Sequence, residues 1–241
     1  MDIVETHTIL IVGRGRLAEE LLLGLKGPEI AGVLPWDARE AAGDGPCMVV
    51  HAGSGRELGD VFDFCGARGA VLLDLSTAGT PYPAAAAFPL VVCPNVNMLM
   101  LSFMAMVRQA AGYFRGLDIS IAESHQAAKK TSPGTAVHLA RSLGVPASAI
   151  RSERDPQVQR EVIGIPEEFL DRHAFHDIVI RDAEVEIRMQ TRVLGKSAYA
   201  SGLARVVAIV SARRPGPGCH DIVDLILADS QPSAPDARRR P

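Results

Sequence analysis

The sequence has few aromatic residues, few cysteines and little net charge. Aromatic side chains make up 5% of its 241 residues, with a single tryptophan, and the formal net charge is −3. A chain so close to neutrality lacks the basic surface that attracts nucleic acids and anionic membranes, so we expect neither as a partner. No apolar run reaches the roughly 20 residues that span a bilayer, and we therefore expect no membrane-spanning segment.

The four cysteines are scattered, with no Cys-x-x-Cys pair and no spacing typical of a metal site, so we predict no metal. We interpret them as reduced thiols that pack in the interior. The first seven residues contain no basic segment of the kind that begins a secretory signal. Together these observations lead us to expect a cytoplasmic protein. Hydrophobic residues make up 47% of the sequence and charged residues 22%, which is ordinary for a soluble protein.

A strand, a glycine-rich turn and a helix are predicted near the amino terminus. Residues 8–12 form a short β-branched run, and Gly13-Arg-Gly-Arg-Leu-Ala18 and a leucine-rich helical pattern follow it. This order predicts a dinucleotide-binding unit whose glycines allow a tight turn and close approach of a pyrophosphate. The two arginines either reach the cofactor phosphates or point into water. The predicted cofactor contacts here are Gly13, Arg14, Gly15, Arg16 and Leu17.

The second predicted strand, residues 30–34, leads to the position that meets the adenosine ribose in such folds. An acidic residue about 20 residues beyond the glycines favours NAD, whereas an arginine favours the 2′-phosphate of NADP. Asp37 satisfies the first condition and Arg39 the second, so NADH and NADPH both stay open as cofactors. Trp36 either stacks on adenine or is a packing residue.

Strands and helices continue to alternate up to residue 111. Strands are predicted at 47–53, 70–75 and 90–93, and helices at 56–65 and 98–111. Such alternation argues for a parallel sheet with right-handed crossovers, in which ligands bind at the carboxyl ends of the strands. His51, the tetrad Ser76-Thr77-Ala78-Gly79 and the segment Pro94-Asn-Val-Asn97 follow those ends.

The most informative stretch runs from Glu123 to Thr135, between a predicted strand (117–122) and a predicted helix (136–143). Ser132 can cap this helix and Pro133 suits its first position.

The free N–H groups of such a helix start attract an anion such as a carboxylate. His125 and Lys129 lie beside that anion site, and a proton donor next to a carboxylate cradle suits protonation of a nitrogen in an acidic substrate. The alternative is an ordinary solvated polar loop.

The second half of the chain predicts a smaller sheet. Strands are predicted at 161–165, 173–180 and 183–191, and the last alternates charged and apolar residues, as a sheet with one wet face does. We interpret His173 and His176 as structural. A helix at 197–210, a segment at 218–226 and a Ser/Pro/Ala/Arg-rich, disordered tail at 229–241 complete the chain.

The stretch from Glu123 to Ala136 resembles the signature of dihydrodipicolinate reductases, Glu-x-His-His-x-x-x-Lys-x-Asp-x-Pro-Ser-Gly-Thr-Ala. The four-residue spacing from His125 to Lys129 is retained, as is Pro-Gly-Thr-Ala before the helix. Gln126 stands where the family has its second His, and the turn is one residue shorter and lacks the Asp. Elsewhere, Gly15-Arg-Leu-Ala18 resembles the family's Gly-Arg-Met-Gly, and residues 76–79 resemble its Gly-Thr-Thr-Gly.

The resemblance implies an α/β fold with two domains. A Rossmann domain would comprise residues 1–96, with 212–228 returning to it. An inserted α+β domain with a mixed sheet, residues 97–211, would bind substrate and form a homotetramer.

The implied reaction is hydride transfer from NADPH or NADH to an unsaturated, nitrogen-containing dicarboxylate. By resemblance, His125 and Lys129 are catalytic. His125 is the candidate proton donor or orienting group, and Lys129 is the stronger candidate to stabilise or protonate the reacting nitrogen. The implied substrate contacts are Gln126, Gly134 and Thr135. The implied cofactor contacts beyond the glycine turn and Asp37 are Ser76, Thr77, Gly79 and Asn95.

Three functions remain open at this stage. The first is the lysine and diaminopimelate pathway reaction itself, and the second is reduction of a related cyclic imine in a specialised pathway. The second is suggested by Gln126, which hydrogen-bonds but cannot carry the charge of a histidine. The third is a non-catalytic, nucleotide-binding relative, which the retention of His125 and Lys129 disfavours.

Overall fold

The computed structural model describes residues 5–76, 82–83, 85–129, 133–195 and 199–230. The strands are β1 (His7–Val12), β2 (Ile30–Pro35), β3 (Cys47–His51), β4 (Val71–Asp74), β5 (Pro89–Val92), β6 (Asp118–His125), β7 (Arg151–Glu153), β8 (His173–Asp182), β9 (Val185–Leu194) and β10 (Gly218–Asp221). The helices are α1 (Arg16–Gly24), α2 (Leu58–Arg68), α3 (Met98–Ala110), α4 (Gly134–Leu143), α5 (Pro156–Val158), α6 (Ala200–Arg213) and α7 (Ile222–Ser230).

Six strands form a parallel sheet in the order β10-β5-β4-β3-β1-β2. Its central strands are apolar on both faces, because helices cover both. In β1, Ile9 and Ile11 pack into one core with residues of α1, α3, α6 and α7, whereas Leu10 and Val12 pack into another with α2. Burial on both faces is what a parallel sheet requires. β2 lies on one side of β1, and the next strand in sequence, β3, lies on the other side. This reversal of strand order places a ligand-binding crevice at the carboxyl ends of β1 and β3.

The other four strands form a mixed sheet in the order β7-β6-β8-β9. β6 pairs with β7 in parallel, and the remaining two pairs are antiparallel. The predicted fold class, a Rossmann-type parallel sheet plus an α+β unit with a mixed sheet, is confirmed. Within the described residues, no helix is long and apolar enough to cross a membrane.

The strand predicted at 161–165 is wrong, because the chain there is helical. Asp155 caps the start of α5 by accepting a hydrogen bond from the Gln157 N–H at 2.8 Å, and Pro156 occupies the first helical position. The helix then widens into a π-turn at Gln159–Ile163. The Asp155-Pro156 pair is a helix-start signal, whereas the short β-branched run at 161–165 favours a strand only by its composition.

The helix of the central stretch begins two residues earlier than predicted. Its first residue is Gly134, and Pro133 precedes it without a side-chain cap. The predicted cap, Ser132, lies outside the described residues. At the other end of the chain, α7 continues to Ser230, and the rest of the predicted tail lies outside them as well.

Candidate active site

A cleft of about 380 Å³ lies between the two sheets. One wall consists of the loops that follow β3, β4 and β5, at residues 52–54, 75–76 and 93–96. The other wall comes from the end of β6, the start of α4 and the start of β8. The predicted site residues that line this cleft are Arg16, Leu17, Ser76, Asn95, His125, Gln126, Lys129, Gly134 and Thr135.

A second cleft, of about 530 Å³, lies beside the glycine turn. Its lining includes Gly13, Arg14 and Asp37 from the predicted cofactor set, together with Trp36 and Arg56. The structure therefore divides the predicted cofactor residues between two neighbouring clefts. Gly15 precedes α1 between them, and Thr77 and Gly79 lie outside the described residues.

The glycine turn is tightly packed at Gly13 and open at Gly15. Gly13 has a φ of +128°, and a Cβ built there would lie 2.7 Å from the Ala52 carbonyl oxygen, so only glycine fits. Gly15 precedes α1 without a side-chain cap and has open space where a side chain would stand. The first N–H groups of α1 are thus free to bind an anion such as a pyrophosphate.

The two arginines of the turn already contact protein groups. Arg14 Nη2 lies 2.9 Å from Asp37 Oδ2, and both side chains are largely exposed. Arg16 Nη1 donates to the carbonyl oxygen of Asp171 at 3.0 Å, across the cleft that it lines. Arg14 therefore pairs with the acidic residue that the sequence predicts at the adenosine ribose.

A buried carboxylate holds His125 in place. Glu123 is completely buried and accepts a hydrogen bond from His125 Nδ1 at 2.5 Å. Arg154 donates to both of its oxygens, at 2.6 and 3.1 Å. Burial alone would raise the pKa of Glu123, but these hydrogen bonds outweigh it and lower the pKa to about 2.

The ionised carboxylate fixes the tautomer of His125. Since Glu123 can only accept, His125 Nδ1 carries the hydrogen, and Nε2 is the nitrogen left to exchange a proton. Burial lowers the pKa of His125, and the hydrogen bond to Glu123 opposes that shift. The neutral imidazole consequently presents an acceptor at Nε2.

Lys129 is a cationic side chain of the same wall. Burial lowers the pKa of its amine, with the charge of Glu123 opposing the shift and that of Arg154 adding to it. An amine with a lowered pKa releases its proton more readily near neutral pH, which suits a general acid.

The start of α4 provides backbone donors in the cleft. The Thr135 hydroxyl donates to the Pro94 carbonyl oxygen at 3.1 Å and accepts from Asn95 Nδ2 at 3.1 Å. The hydroxyl proton is therefore committed to the loop after β5. The backbone N–H groups of Gly134 and Thr135 are the groups left for an anion.

Several residues near the site could not be identified from local sequence. Arg154 and Gln159 come from a segment in which the sequence analysis identifies no motif. The buried Gln159 donates from Nε2 to the His125 carbonyl oxygen at 2.7 Å. Arg172 and Tyr199 line the cleft, and both are tied to Glu20 of α1: Arg172 by an ion pair, Tyr199 through its backbone N–H at 2.8 Å.

The two histidines of β8 differ in their relation to the cleft. His173 lines it, and its Nε2 lies 2.9 Å from the Ser124 hydroxyl. His176 packs edge-on against His125, with ring centroids 6.0 Å apart, and its Nδ1 lies 3.0 Å from the Thr191 hydroxyl. Burial lowers the pKa of His176 to about 3, so it is neutral under His125.

Replacing Arg154 with leucine should raise the pKa of Glu123 and lower the free energy of unfolding by roughly 3 kcal/mol at pH 7, because the buried carboxylate loses the guanidinium that donates to both of its oxygens. The pKa of Glu123 is depressed from 4.5 to about 2, so its contribution to stability is present above 4.5 and is lost as the pH falls toward 2. The difference between the variant and wild type should shrink over that interval.

Urea unfolding between pH 3 and pH 8 measures this difference. The control is Arg160→Leu, which removes a surface ion pair with Glu167 at 2.8 Å and should change stability little. Equal stability of Arg154→Leu and wild type at pH 7 would contradict the role of Arg154 in stabilising the ionised Glu123.

The comparisons with known proteins agree with this architecture. Residues 100–226 match the family described as dihydrodipicolinate reductase, C-terminus. A solved structure of dipicolinate-bound dihydrodipicolinate reductase from Paenisporosarcina sp. TG-14 superposes with a TM-score of 0.60 at 14% identity, covering 90% of this chain and 97% of that one. At that identity the likeness shows the fold alone.

Curated plant proteins match part of the chain. The chloroplastic 4-hydroxy-tetrahydrodipicolinate reductase 1 of Arabidopsis thaliana is 34% identical over 134 residues, which are 51% of this chain and 39% of the relative. A probable chloroplastic 4-hydroxy-tetrahydrodipicolinate reductase of Oryza sativa subsp. japonica is 36% identical over 123 residues, 46% of this chain and 36% of the relative. The matched part thus spans less than two-fifths of either plant protein.

The plant relatives correct one prediction, and the family match confirms another. The expectation of a cytoplasmic protein is wrong, because the four plant relatives that match are all chloroplastic. The family predicted from Glu123 to Ala136 is confirmed by a match that covers more than half of the sequence. The chain belongs to the dihydrodipicolinate reductase family.

Proposed function

We propose that the protein is an NAD(P)H-dependent reductase that transfers a hydride to a cyclic, unsaturated, nitrogen-containing dicarboxylate, forming tetrahydrodipicolinate in lysine and diaminopimelate biosynthesis. The observation that carries this proposal is the lining of one cleft. His125, Lys129 and the start of α4 face the loops that end β4 and β5 of the dinucleotide-binding sheet. Family membership and the activity named for the plant relatives support it.

The chain's own residues hold the substrate and supply the proton. NADH or NADPH supplies the hydride when it is bound. The N–H groups of Gly134 and Thr135 would bind one carboxylate of the substrate, helped by the positive end of the α4 dipole. Loss of the 4-hydroxyl group as water would leave a conjugated imine. The hydride would then add to the ring carbon that carried the hydroxyl group, and Lys129 would donate the proton that the ring nitrogen gains, which gives the enamine tautomer of tetrahydrodipicolinate. His125, fixed by Glu123, would orient the substrate ring through Nε2 and would relay to Lys129 a proton that Nε2 takes up from water.

A second candidate is reduction of a related cyclic imine with fewer negative charges. Gln126 lines the cleft where the family signature has a histidine, and an amide cannot carry a positive charge. A substrate with one carboxylate would need only the cradle at α4. Parallel assays on a dicarboxylate and on a monocarboxylate cyclic imine distinguish the two candidates.

The proposal includes the domain division expected from the sequence, with residues 1–96 and 212–228 binding cofactor and 97–211 binding substrate. It also includes a homotetramer formed through the mixed sheet. Apolar side chains on β9 support this assembly, because Val185 is 65% exposed and Ile187 45% exposed. Burying such residues between subunits would remove apolar surface from water.

Replacing Lys129 with alanine should lower kcat by at least about 100-fold, because general acid catalysis contributes that much or more. The measurement is loss of reduced-nicotinamide absorbance with NADH or NADPH and freshly generated 4-hydroxy-tetrahydrodipicolinate. The matched control is Lys26→Ala, at an exposed position just beyond α1. Wild-type protein that binds cofactor but never oxidises it with this substrate would contradict the proposed reaction.

Replacing Asp37 with alanine should shift the cofactor preference toward NADPH. The substitution removes the acid that would bind the ribose and frees Arg14, its partner at 2.9 Å, for the 2′-phosphate. We expect the ratio of kcat/KM for NADPH to that for NADH to rise roughly tenfold. Arg14→Ala should move the ratio the other way, and an unchanged ratio in both variants would exclude this pair from cofactor selection.

Wild-type protein should behave as a tetramer in light scattering coupled to gel filtration at micromolar concentrations. Ile187→Glu should shift the mass toward dimer or monomer, because a charge would lie in a buried contact. Val162→Glu is the control, since Val162 is 78% exposed but lies in the helical turn after α5. A monomeric wild-type protein would overturn the assembly without bearing on the reaction.

A further inference from the structure

Two polar side chains are completely buried at the carboxyl ends of adjacent central strands. His51 ends β3 and Asp74 ends β4, and the two residues are partners in the parallel pairing of these strands. His51 Nδ1 lies 2.8 Å from Asp74 Oδ1. The pair stands beneath the cleft and belongs to neither the proton-donating group nor the anion cradle.

Asp74 binds two of the described residues that follow β4, Ser76 and Tyr82. Its Oδ1 also accepts from the Ser76 N–H at 2.8 Å, and its Oδ2 accepts from the Tyr82 hydroxyl at 2.7 Å. Burial raises the pKa of Asp74, but the hydrogen bonds from His51, Ser76 and Tyr82 outweigh it and lower the pKa. The carboxylate is therefore ionised, and His51 donates to it from Nδ1.

The other side of the His51 ring supports the loop after β3. A Cβ on Gly53 would lie 2.8 Å from His51 Nε2, so the backbone of this loop passes directly against the imidazole. The His51 carbonyl oxygen also accepts from the Leu75 N–H at 2.9 Å. Residues 52–54 and 75–76, which flank the ring, both line the cleft.

We propose that the network of His51, Asp74 and Tyr82 is a positioning element that fixes these two loops for the nicotinamide cofactor, so that cofactor affinity depends on it. This inference rests on the proposed function. Stability alone does not call for the network, because well-packed apolar residues replace a buried polar pair at little or no cost in many proteins. The hydrogen bonds of Asp74 instead hold the backbone of Ser76, which lies at the cofactor side of the cleft.

Cofactor titrations of matched variants test the proposal. Trp36 is the single tryptophan and lines the cleft beside the glycine turn, so its fluorescence reports cofactor binding. His51→Leu keeps the approximate volume but removes the donor to Asp74. His51→Asn retains an N–H donor near the position of Nδ1, and Tyr82→Phe removes only the hydroxyl.

We expect His51→Leu to weaken NADH or NADPH binding roughly tenfold, about the loss of one hydrogen bond to a charged group. The KM for the cofactor should rise equally, with kcat changed less than about twofold, since Lys129 and His125 are untouched. His51→Asn should recover affinity to within about threefold of wild type, and Tyr82→Phe should lose about threefold.

The outcomes distinguish failure of the positioning role from failure of the proposed function. Wild-type affinity in a folded His51→Leu variant would overturn the positioning role, as would a loss that His51→Asn does not rescue. If His51→Leu does not fold, Tyr82→Phe decides, because unchanged cofactor affinity in that variant overturns the proposal. Failure of wild-type protein to bind either cofactor would instead remove the proposed function, and this inference with it.

Discussion

The Glu123 carboxylate is the buried charge around which the substrate side of the cleft is arranged. A fully buried carboxylate is costly unless hydrogen bonds satisfy it, and here His125 and Arg154 do so at 2.5 to 3.1 Å. The ionised oxygens orient the His125 ring and anchor the segment that carries Arg154. Gln159 holds the His125 backbone from the same segment at 2.7 Å. The orientation of His125 thus follows from electrostatics inside the mixed sheet.

The cleft lies where the two sheets meet. Polar contacts at its edges hold the two sheets in their relative position. Asn95 of the parallel sheet's loop donates to Thr135 at the start of α4. Glu20 of α1 pairs with Arg172 just before β8, and Arg108 of α3 reaches Asp221 at the end of β10 at 3.0 Å. Each wall therefore contributes part of the candidate site, and neither wall forms the cleft alone.

Local sequence predicted the features that are encoded locally. The alternation of strands and helices gave the parallel sheet, because each crossover buries a recognisable apolar pattern. The stretch from Glu123 to Ala136 indicated the site because strand, loop and helix start are contiguous in it. Arg154 and Gln159 could not be found in this way, since their roles depend on pairing between β6 and β7. The strand β7 has only three residues, all polar, and carries no periodicity.

The most direct test of a cleft shared by the acidic substrate and the nicotinamide end of the cofactor is a crystal structure of the protein with NADH or NADPH and dipicolinate, the ligand present in the Paenisporosarcina enzyme structure. The account predicts one carboxylate on the N–H groups of Gly134 and Thr135, with the ring nitrogen facing Lys129 and the cofactor between the loops after β4 and β5. Dipicolinate bound outside this cleft, or cofactor bound away from those loops, would contradict it.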